Sequence, residues 1–139
     1  MPTSQDPTVA VRELHALFQS WFRGEGPADA MERFERSLDP ELRMVVPAGD
    51  VLERGPLLEL LRSNEGQRAS DHVVSTRAEQ LVRRGAFDDG TQWALVLYEE
   101  WAGPADAVRG RQSSVLMMAD ANAVAGWRWL HVHETWLSE

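Results

Sequence analysis

The sequence predicts an α+β fold, in which three N-terminal helices pack on a curved antiparallel sheet formed mainly by the second half of the chain. Near the N-terminus, apolar residues recur at three- and four-residue spacing, which indicates amphipathic helices. After Asp71 the pattern changes to long alternating segments that end at turn signals such as Asp88-Asp89-Gly90. Strands of this length are uncommon in flat sheets, so we expect the sheet to curve strongly.

The helices are predicted from their caps and their apolar spacing. Asp6-Pro7 is a capping carboxylate followed by proline at the first helical position. The apolar positions of this first helix share one face, and they are Val11, Leu14, Phe18, Trp21 and Phe22. A second helix follows Pro27 and ends at Asp39-Pro40, and a third begins at Gly55-Pro56.

Six segments are predicted as strands. Two short ones, residues 42–46 and 51–53, pair as a hairpin around a turn that ends at Asp50. Four long ones complete the sheet, and they are residues 71–84, 91–101, 109–119 and 126–137. No repeat or linker divides the chain, so residues 1–139 are predicted to form a single domain.

Composition excludes several classes of function. The net charge of −8 argues against nucleic-acid binding, because phosphate contacts need a basic surface. No apolar run is long enough to span a bilayer, and the first residues do not form a signal peptide, so no membrane association and a cytoplasmic location are predicted. The chain has no cysteine, and all 14 of its basic residues are arginine, which excludes thiol and Schiff-base chemistry. No cofactor is expected.

The final strand has two faces, and neither is a plain solvated surface. One face carries Trp127, Trp129, His131, His133 and Thr135, and the other carries Arg128, Leu130, Val132, Glu134 and Trp136. Both faces must therefore be covered. We expect the helices to cover one of them and a second copy of the chain to cover the other, which predicts a homodimer.

This chain resembles the nuclear transport factor two-like (NTF2-like) superfamily over nearly its whole length. Three segments carry the resemblance: Val11-Arg12-Glu13-Leu14, Val46-Pro47-Ala48-Gly49 with Gly55-Pro56-Leu57-Leu58, and Trp127-Arg128-Trp129-Leu130-His131-Val132-His133-Glu134-Thr135. The ending is similar to that of SnoaL-like proteins, in the ketosteroid-isomerase-like branch, and to the association domain of calcium/calmodulin-dependent kinase two. The resemblance implies a cone of the NTF2-like, or cystatin-like, kind. In such a cone a pocket opens between the first helix and the sheet, and the outer sheet face commonly pairs with a second subunit.

The register of the kinase association domain, carried over by this resemblance, assigns side chains to the inside of the cone. On the final strand these are Leu130, Val132, Glu134 and Trp136, with Trp127, Trp129, His131 and His133 turned outward. On the two preceding strands the inward set contains Glu99, Trp101, Arg111, Ser113, Val115 and Met117, and Tyr98 faces outward. The ligand-binding candidates are Glu99, Trp101, Arg111, Ser113, Met117, Val132, Trp136, Trp21 and Phe18.

Glu134 is the first catalytic candidate. A carboxyl group between Val132 and Trp136, on the inner side of the strand, is desolvated, so its pKa is expected to rise into the range of a general acid or base. Alternatively, Glu134 forms an ion pair with Arg111 or Arg77 that only closes the pocket. Asp50 is the second candidate, because its turn lies near the opening of related pockets.

His131 and His133 lie two residues apart on one strand face, so both imidazoles can reach a common point. No third ligand is evident, so a dimer interface is expected here rather than a metal site. His15 and His72 are isolated in the sequence, and we expect each to be a surface histidine or one satisfied by its neighbours.

The resemblance predicts a small-molecule-binding protein of the SnoaL-like kind. Its ligand is expected to be apolar with one polar or anionic group, which Arg111, Glu99 and Glu134 recognise. Two alternatives remain open. One is a cofactor-free isomerase, cyclase or hydratase that uses Glu134 as its base, and the other is an interaction module with a vestigial pocket.

Overall fold

The computed structural model describes residues 6–137 of the chain. The elements in chain order are α1 (Pro7–Phe22), α2 (Ala30–Ser37), β1 (Leu38–Val45), β2 (Val51–Glu53), α3 (Arg54–Ser63), β3 (Val73–Ala86), β4 (Gln92–Gly103), β5 (Arg109–Ala119) and β6 (Trp127–Trp136). No helix in this described part is long and apolar enough to cross a membrane. The expectation about a signal peptide rests mainly on residues 1–5, which lie outside the described residues.

Helix α1 begins as the sequence predicts. The Asp6 carboxylate accepts a hydrogen bond from the Thr8 backbone N–H at 2.8 Å, and Pro7 occupies the first turn. One face of α1 is buried against the sheet, and it consists of Pro7, Ala10, Val11, Leu14, His15, Leu17 and Trp21. The Trp21 indole N–H donates to the Leu61 carbonyl at 2.6 Å, which ties α1 to α3.

The six strands form one sheet in the order β2-β1-β6-β5-β4-β3. The α+β class and the NTF2-like architecture are therefore confirmed. The pairings are antiparallel except that β1 runs parallel to β6, so the sheet is mixed and not purely antiparallel as predicted. The difference arises because β1 and β2, formed early in the chain, join the sheet at the side of the last strand. Helix α3 then carries the chain to β3 at the opposite edge.

A β-bulge in the final strand determines which of its side chains enter the core. Met117 on β5 lies opposite Trp129, whereas Leu116 lies opposite His131, so Leu130 is an extra residue without a partner across the pair. Side chains alternate between the two faces of a strand, so this insertion exchanges the inner and outer positions for all residues on one side of the bulge. Trp127 and Trp129 therefore lie on the same inner side as Val132 and Glu134.

The expectation that Trp127 and Trp129 face outward is wrong for this reason. Trp127 is fully buried, and Trp129 is 4% exposed and contacts the His15 ring at a centroid distance of 5.6 Å. The inward placement of Leu130 is wrong as well, because it borders a surface groove together with His131. The outward placement of His131 and His133 is confirmed, since both are exposed.

The predicted face of β4 is also reversed. Ala94, Val96 and Tyr98 are buried in the core, so Glu100 follows them on the inner side, while Glu99 and Trp101 lie on the outer side. Residues 93–98 are apolar on both faces, so alternation of apolar and polar residues could not identify the inner one. The Trp101 indole lies over Gly110, where a Cβ atom would stand only 2.9 Å from the ring. Thus a tryptophan assigned to the pocket instead covers a glycine on the outer face.

We predict that two Trp→Ala changes on β6 lower the free energy of unfolding by very different amounts. Trp127→Ala should lower the free energy of unfolding by about 3–5 kcal/mol, because it opens a cavity in the core. Trp136→Ala should cost about 1 kcal/mol or less, because Trp136 is 41% exposed and mainly loses its contact with Arg109. Urea denaturation of both variants measures the difference. A larger loss for Trp136→Ala would contradict the bulge and favour regular alternation along the strand.

Candidate functional site

A cavity of about 140 Å³ lies between α1, α3 and the concave face of the sheet. Most of its wall is apolar and consists of Phe18, Phe22, Leu38, Leu42, Met44, Leu57, Leu61, Val74, Trp129 and Val132. One side is polar and consists of His15, Tyr98, Glu100, Arg111 and Glu134. This division into an apolar body and one polar wall is typical of small-molecule sites.

Two neighbouring rows of cross-strand pairs build the polar wall. In the first row, Arg111 on β5 lies between Glu100 on β4 and Trp136 on β6. In the second row, Ser113 lies between Tyr98 and Glu134. Rows two residues apart along a strand share one face of the sheet, so all six side chains belong to its inner side. The sheet register therefore brings together residues that are up to 38 positions apart in sequence.

Helix α1 adds His15 to this wall. Its side chain is 2% exposed, and Nδ1 lies 2.8 Å from the Val11 carbonyl oxygen, to which the ring N–H donates. The other ring nitrogen, Nε2, lies 3.1 Å from Oε1 of Glu100. Burial lowers the pKa of His15, but the hydrogen bond and the charge of Glu100 outweigh it, so the pKa lies above its ordinary value of 6.5.

The pKa of Glu100 shifts downward, as expected for the anionic partner of His15. Burial raises the pKa of its carboxyl group, but the hydrogen bond from His15 and the charges of His15 and Arg111 lower it further, and the net pKa falls below the ordinary 4.5. His15 and Glu100 thus form a buried ion pair in which imidazolium and carboxylate stabilise each other. This pair anchors α1 to the middle of the sheet.

The pKa of Glu134 shifts upward, unlike that of Glu100. Its side chain is 1% exposed, and its Oε1 accepts a hydrogen bond from Nη1 of Arg111 at 2.9 Å. Its Oε2 is buried with no hydrogen-bond donor beside it among the described residues, and when protonated Glu134 shares a side-chain hydrogen bond with Glu100. Burial, followed by the negative charge of Glu100, raises the pKa of Glu134 to about 7 although Arg111 opposes the rise.

The two carboxyl groups therefore take different roles in one cluster. Glu100 stays ionised beside His15, whereas Glu134 gains or loses its proton near neutral pH. Environments that separate the pKa values of neighbouring carboxyl groups are the usual basis of acid and base assignments in active sites. Glu134 is thus chemically suited to exchange a proton with a molecule in the cavity.

Tyr98 and Ser113 add neutral polar groups to this region. Tyr98 is 1% exposed and packs edge-on against the His15 ring at 5.2 Å, so its predicted outward placement is wrong. Burial and the charges of Glu100 and Glu134 raise its pKa well above 10.0, which keeps the phenol protonated. The buried hydroxyl of Ser113 lies beside the Tyr98 phenol, and the side-chain hydrogen bond between them opposes the rise in the pKa of Tyr98.

Four of the predicted site residues line the cavity, namely Phe18, Arg111, Val132 and Glu134. The predicted contact between Glu134 and Arg111 is present, whereas Arg77 instead lies over the outer Trp101 ring at 4.6 Å. Ser113, Met117 and Trp21 are buried beside the cavity but do not line it.

The remaining predicted site residues lie elsewhere. Glu99 and Trp101 hydrogen-bond to each other on the outer face at 3.0 Å. Trp136 is half-exposed beyond the end of the cavity, with Arg109 stacked 3.5 Å from its ring centre. Asp50 is exposed in the β1–β2 turn, because that hairpin lies at the sheet edge and its turn points away from the core. The structure therefore does not bring Asp50 to the candidate site.

His15 and Glu100 were not among the site residues predicted from the sequence. A signal for His15 was present, because it lies four residues after Val11 and three before Phe18, which places it on the apolar face of α1. Histidine on such a face requires a buried partner. For Glu100 the signal was weaker, since it depended on choosing between two apolar faces of β4.

We predict that Glu134→Gln stabilises the protein at high pH. The folded-state pKa of about 7 lies above the ordinary 4.5, so the stability associated with this carboxyl group is full below pH 4.5 and is lost as the pH rises through 7. Glutamine does not ionise, so its stability relative to wild type should increase by about 2–3 kcal/mol between pH 5 and 8.5. Chemical denaturation across this range measures the effect. A stability difference between Glu134→Gln and wild type that stays constant over this pH range would contradict the assignment.

Solved structures of NTF2-like proteins are similar to this chain. A protein of unknown function from Pseudomonas aeruginosa is 28% identical with a TM-score of 0.76, over 91% of this chain and 94% of that one. Two others share the fold at lower identity: an NTF2-like protein of unknown function in nutrient uptake from Rhodospirillum rubrum (14%, TM-score 0.57, 96% and 100% covered) and the CaMKII hub of S. rosetta (18%, TM-score 0.60, 97% and 100% covered). No protein-family model and no curated protein matches the sequence. The sheet topology and these structures show that the chain has an NTF2-like α+β fold.

Proposed function

We propose that this protein binds a small molecule with an apolar body and one polar or anionic group in the cavity between α1 and the sheet. The observation that carries the proposal is the buried carboxyl group of Glu134, which has one oxygen held by Arg111 and the other unsatisfied. A buried polar atom without a partner costs free energy. A ligand that reaches the polar wall can supply that partner.

The size of the cavity limits the ligand. An engineered cavity of about 150 Å³ in another protein binds benzene, and the cavity described above has about 140 Å³. A ligand of one ring, or an aliphatic group of similar volume, therefore matches the space. Phe18, Phe22 and Trp129 supply aromatic faces against which such a ring can pack.

Catalysis by a cofactor-free isomerase, cyclase or hydratase is the second candidate function. It is favoured by the pKa of Glu134, since a general base works best when its pKa lies near the working pH. Tyr98, protonated throughout this range, is a neutral hydrogen-bond donor on the same wall. In this alternative, Glu134 takes a proton from the bound molecule, and the apolar wall excludes water.

Filling the cavity should abolish binding. We expect toluene, as a neutral one-ring probe, to raise the melting temperature of the wild type in a concentration-dependent manner. Leu57→Phe enlarges a side chain that lines the cavity, so the toluene effect should be lost. Leu60→Phe is the matched control on the same helix, because Leu60 is 50% exposed. Equal responses in both variants, or no response in the wild type, would refute the proposal. A natural ligand that is recovered from the protein in chemically altered form would favour the enzyme.

We also propose that the outer sheet face pairs with a second copy of the chain. The tryptophans first assigned to this face lie in the core, so the proposal now rests on other residues. Leu97 is 37% exposed, and it lies in a row with Ser114 and His133. Leu95 and Leu116 continue this apolar surface in the next row. The outer face of an antiparallel sheet is usually polar when it faces water, so three leucines among the polar residues of these two rows favour an interface. A cytoplasmic location stays a prediction from composition.

Leu97→Glu should convert the dimer to a monomer, because it places a charge among the exposed leucines of the outer face. Sedimentation equilibrium at micromolar concentration measures this directly. Leu60→Glu, an equivalent change at an exposed position of α3, should leave the dimer intact. A wild-type protein that sediments as a monomer would overturn the dimer proposal. A dimer without any ligand would favour the interaction module.

A further inference from the structure

We infer that the ligand of the cavity is a small one-ring carboxylate, which replaces Glu134 as the partner of Arg111 while Glu134 takes up a proton from solvent. This inference rests on the proposed binding function and names its ligand class. It also links binding to pH through one residue.

The charges around Glu134 cancel before anything binds. Helix α1 contributes the His15 cation, β4 contributes the Glu100 anion together with the neutral Tyr98, and β5 contributes Arg111. Helix α3 and strand β1 face the cavity with apolar side chains only, namely Leu57, Leu61, Leu38, Leu42 and Met44. With His15 protonated and Glu134 ionised, two positive and two negative charges balance.

A further anion in this space would leave one negative charge uncompensated, and an unpaired charge in a buried site is costly. Protonation of one carboxyl group restores the balance. Glu100 is held in its ionised form by His15 at 3.1 Å, whereas Glu134 already lies at the point of taking a proton. The proton therefore goes to Glu134.

The geometry of Glu134 and Arg111 fits this exchange. Once it holds the proton, Glu134 can hydrogen-bond to the neighbouring Glu100 carboxylate and no longer balances the charge of Arg111. Among the described residues, Arg111 has a hydrogen-bond partner only for Nη1, so the rest of its guanidinium fork is available to a second carboxylate. A cationic ligand would face His15 and Arg111, and a neutral one would gain nothing from this fork.

The rim of the cavity favours an anion as well. Arg111 is 29% exposed, and Arg109 and Arg111 lie on the Trp136 ring at 3.5 Å and 4.8 Å from its centre. Two arginines at one point of a chain with a net charge of −8 create a local positive potential. An anion approaching the protein is therefore drawn to the end of the sheet at which the polar wall lies.

Isothermal titration calorimetry with benzoate and nitrobenzene tests the inference. The two probes have nearly the same shape, but only benzoate is charged. Titrations in phosphate and in Tris, which differ in ionisation enthalpy, give the number of protons taken up. We expect benzoate to bind more tightly than nitrobenzene, with uptake of about half a proton at pH 7 and nearly one at pH 8.5, and with affinity falling about tenfold per pH unit above 7.

The outcomes separate this inference from the proposed function. If nitrobenzene binds as tightly as benzoate, or if benzoate binds without proton uptake, the carboxylate inference is wrong while the cavity still binds small molecules. If neither probe binds, both proposals are wrong. The wild-type proton count alone decides these cases, so they do not depend on the folding of any variant.

Variants identify the groups involved. Glu134→Gln should bind benzoate without proton uptake and with constant affinity between pH 6 and 8.5, and uptake retained in this variant would overturn the assignment to Glu134. Arg111→Met should weaken benzoate binding at least tenfold and leave nitrobenzene unaffected. Arg77→Met is the matched control, because Arg77 also lies over a tryptophan ring, at 4.6 Å, but on the outer face. It should change neither affinity by more than about threefold, as expected for a distant screened charge.

Discussion

The β-bulge at Leu130 is the constraint on which the rest of the structure depends. A single extra residue between Trp129 and His131 places two tryptophans on the same side of β6 as Val132 and Glu134. Without it, either the tryptophans or the carboxyl group would lie on the outer face. The same bulge adds to the curvature of the sheet, which gives the concave face the depth to hold α1 and still leave a cavity. The fold and the candidate site therefore share one structural cause.

The charged cluster shows a second consequence of this geometry. Glu100, Arg111 and Glu134 come from three adjacent strands, and His15 reaches them from the helix that the sheet encloses. Four ionisable groups in so small a space cost more to bury than an apolar core of the same volume. They are accommodated because His15 and Glu100 satisfy each other, and the remaining cost is concentrated on Glu134. The unsatisfied oxygen is thus located where the cavity is.

Local signals in the sequence predicted much of this fold, and their limits explain the errors. The Asp6-Pro7 cap and the apolar spacing of α1 depend on neighbouring residues only, and both are confirmed. Arg111 and Glu134 were also correctly placed on the inner side. The face of β4 could not be predicted from alternation, because both of its faces are apolar, and the bulge could not be predicted because no glycine or proline marks it. The partnership of His15 with Glu100 spans 85 residues and exists only once α1 is docked on the sheet.

The division between scaffold and chemistry explains why similarity of fold leaves the function open. The residues that hold the cone together are apolar, such as Val96, Val115 and Val132 in one row across the sheet. The next two rows toward the rim carry Tyr98, Glu134, Glu100 and Arg111, and changes there alter the chemistry without removing the core. A scaffold of this kind tolerates many different polar walls, so the charge balance of each wall determines which ligand it accepts. In this chain two acidic and two basic side chains share the wall, and one of the carboxyl groups exchanges its proton near neutral pH.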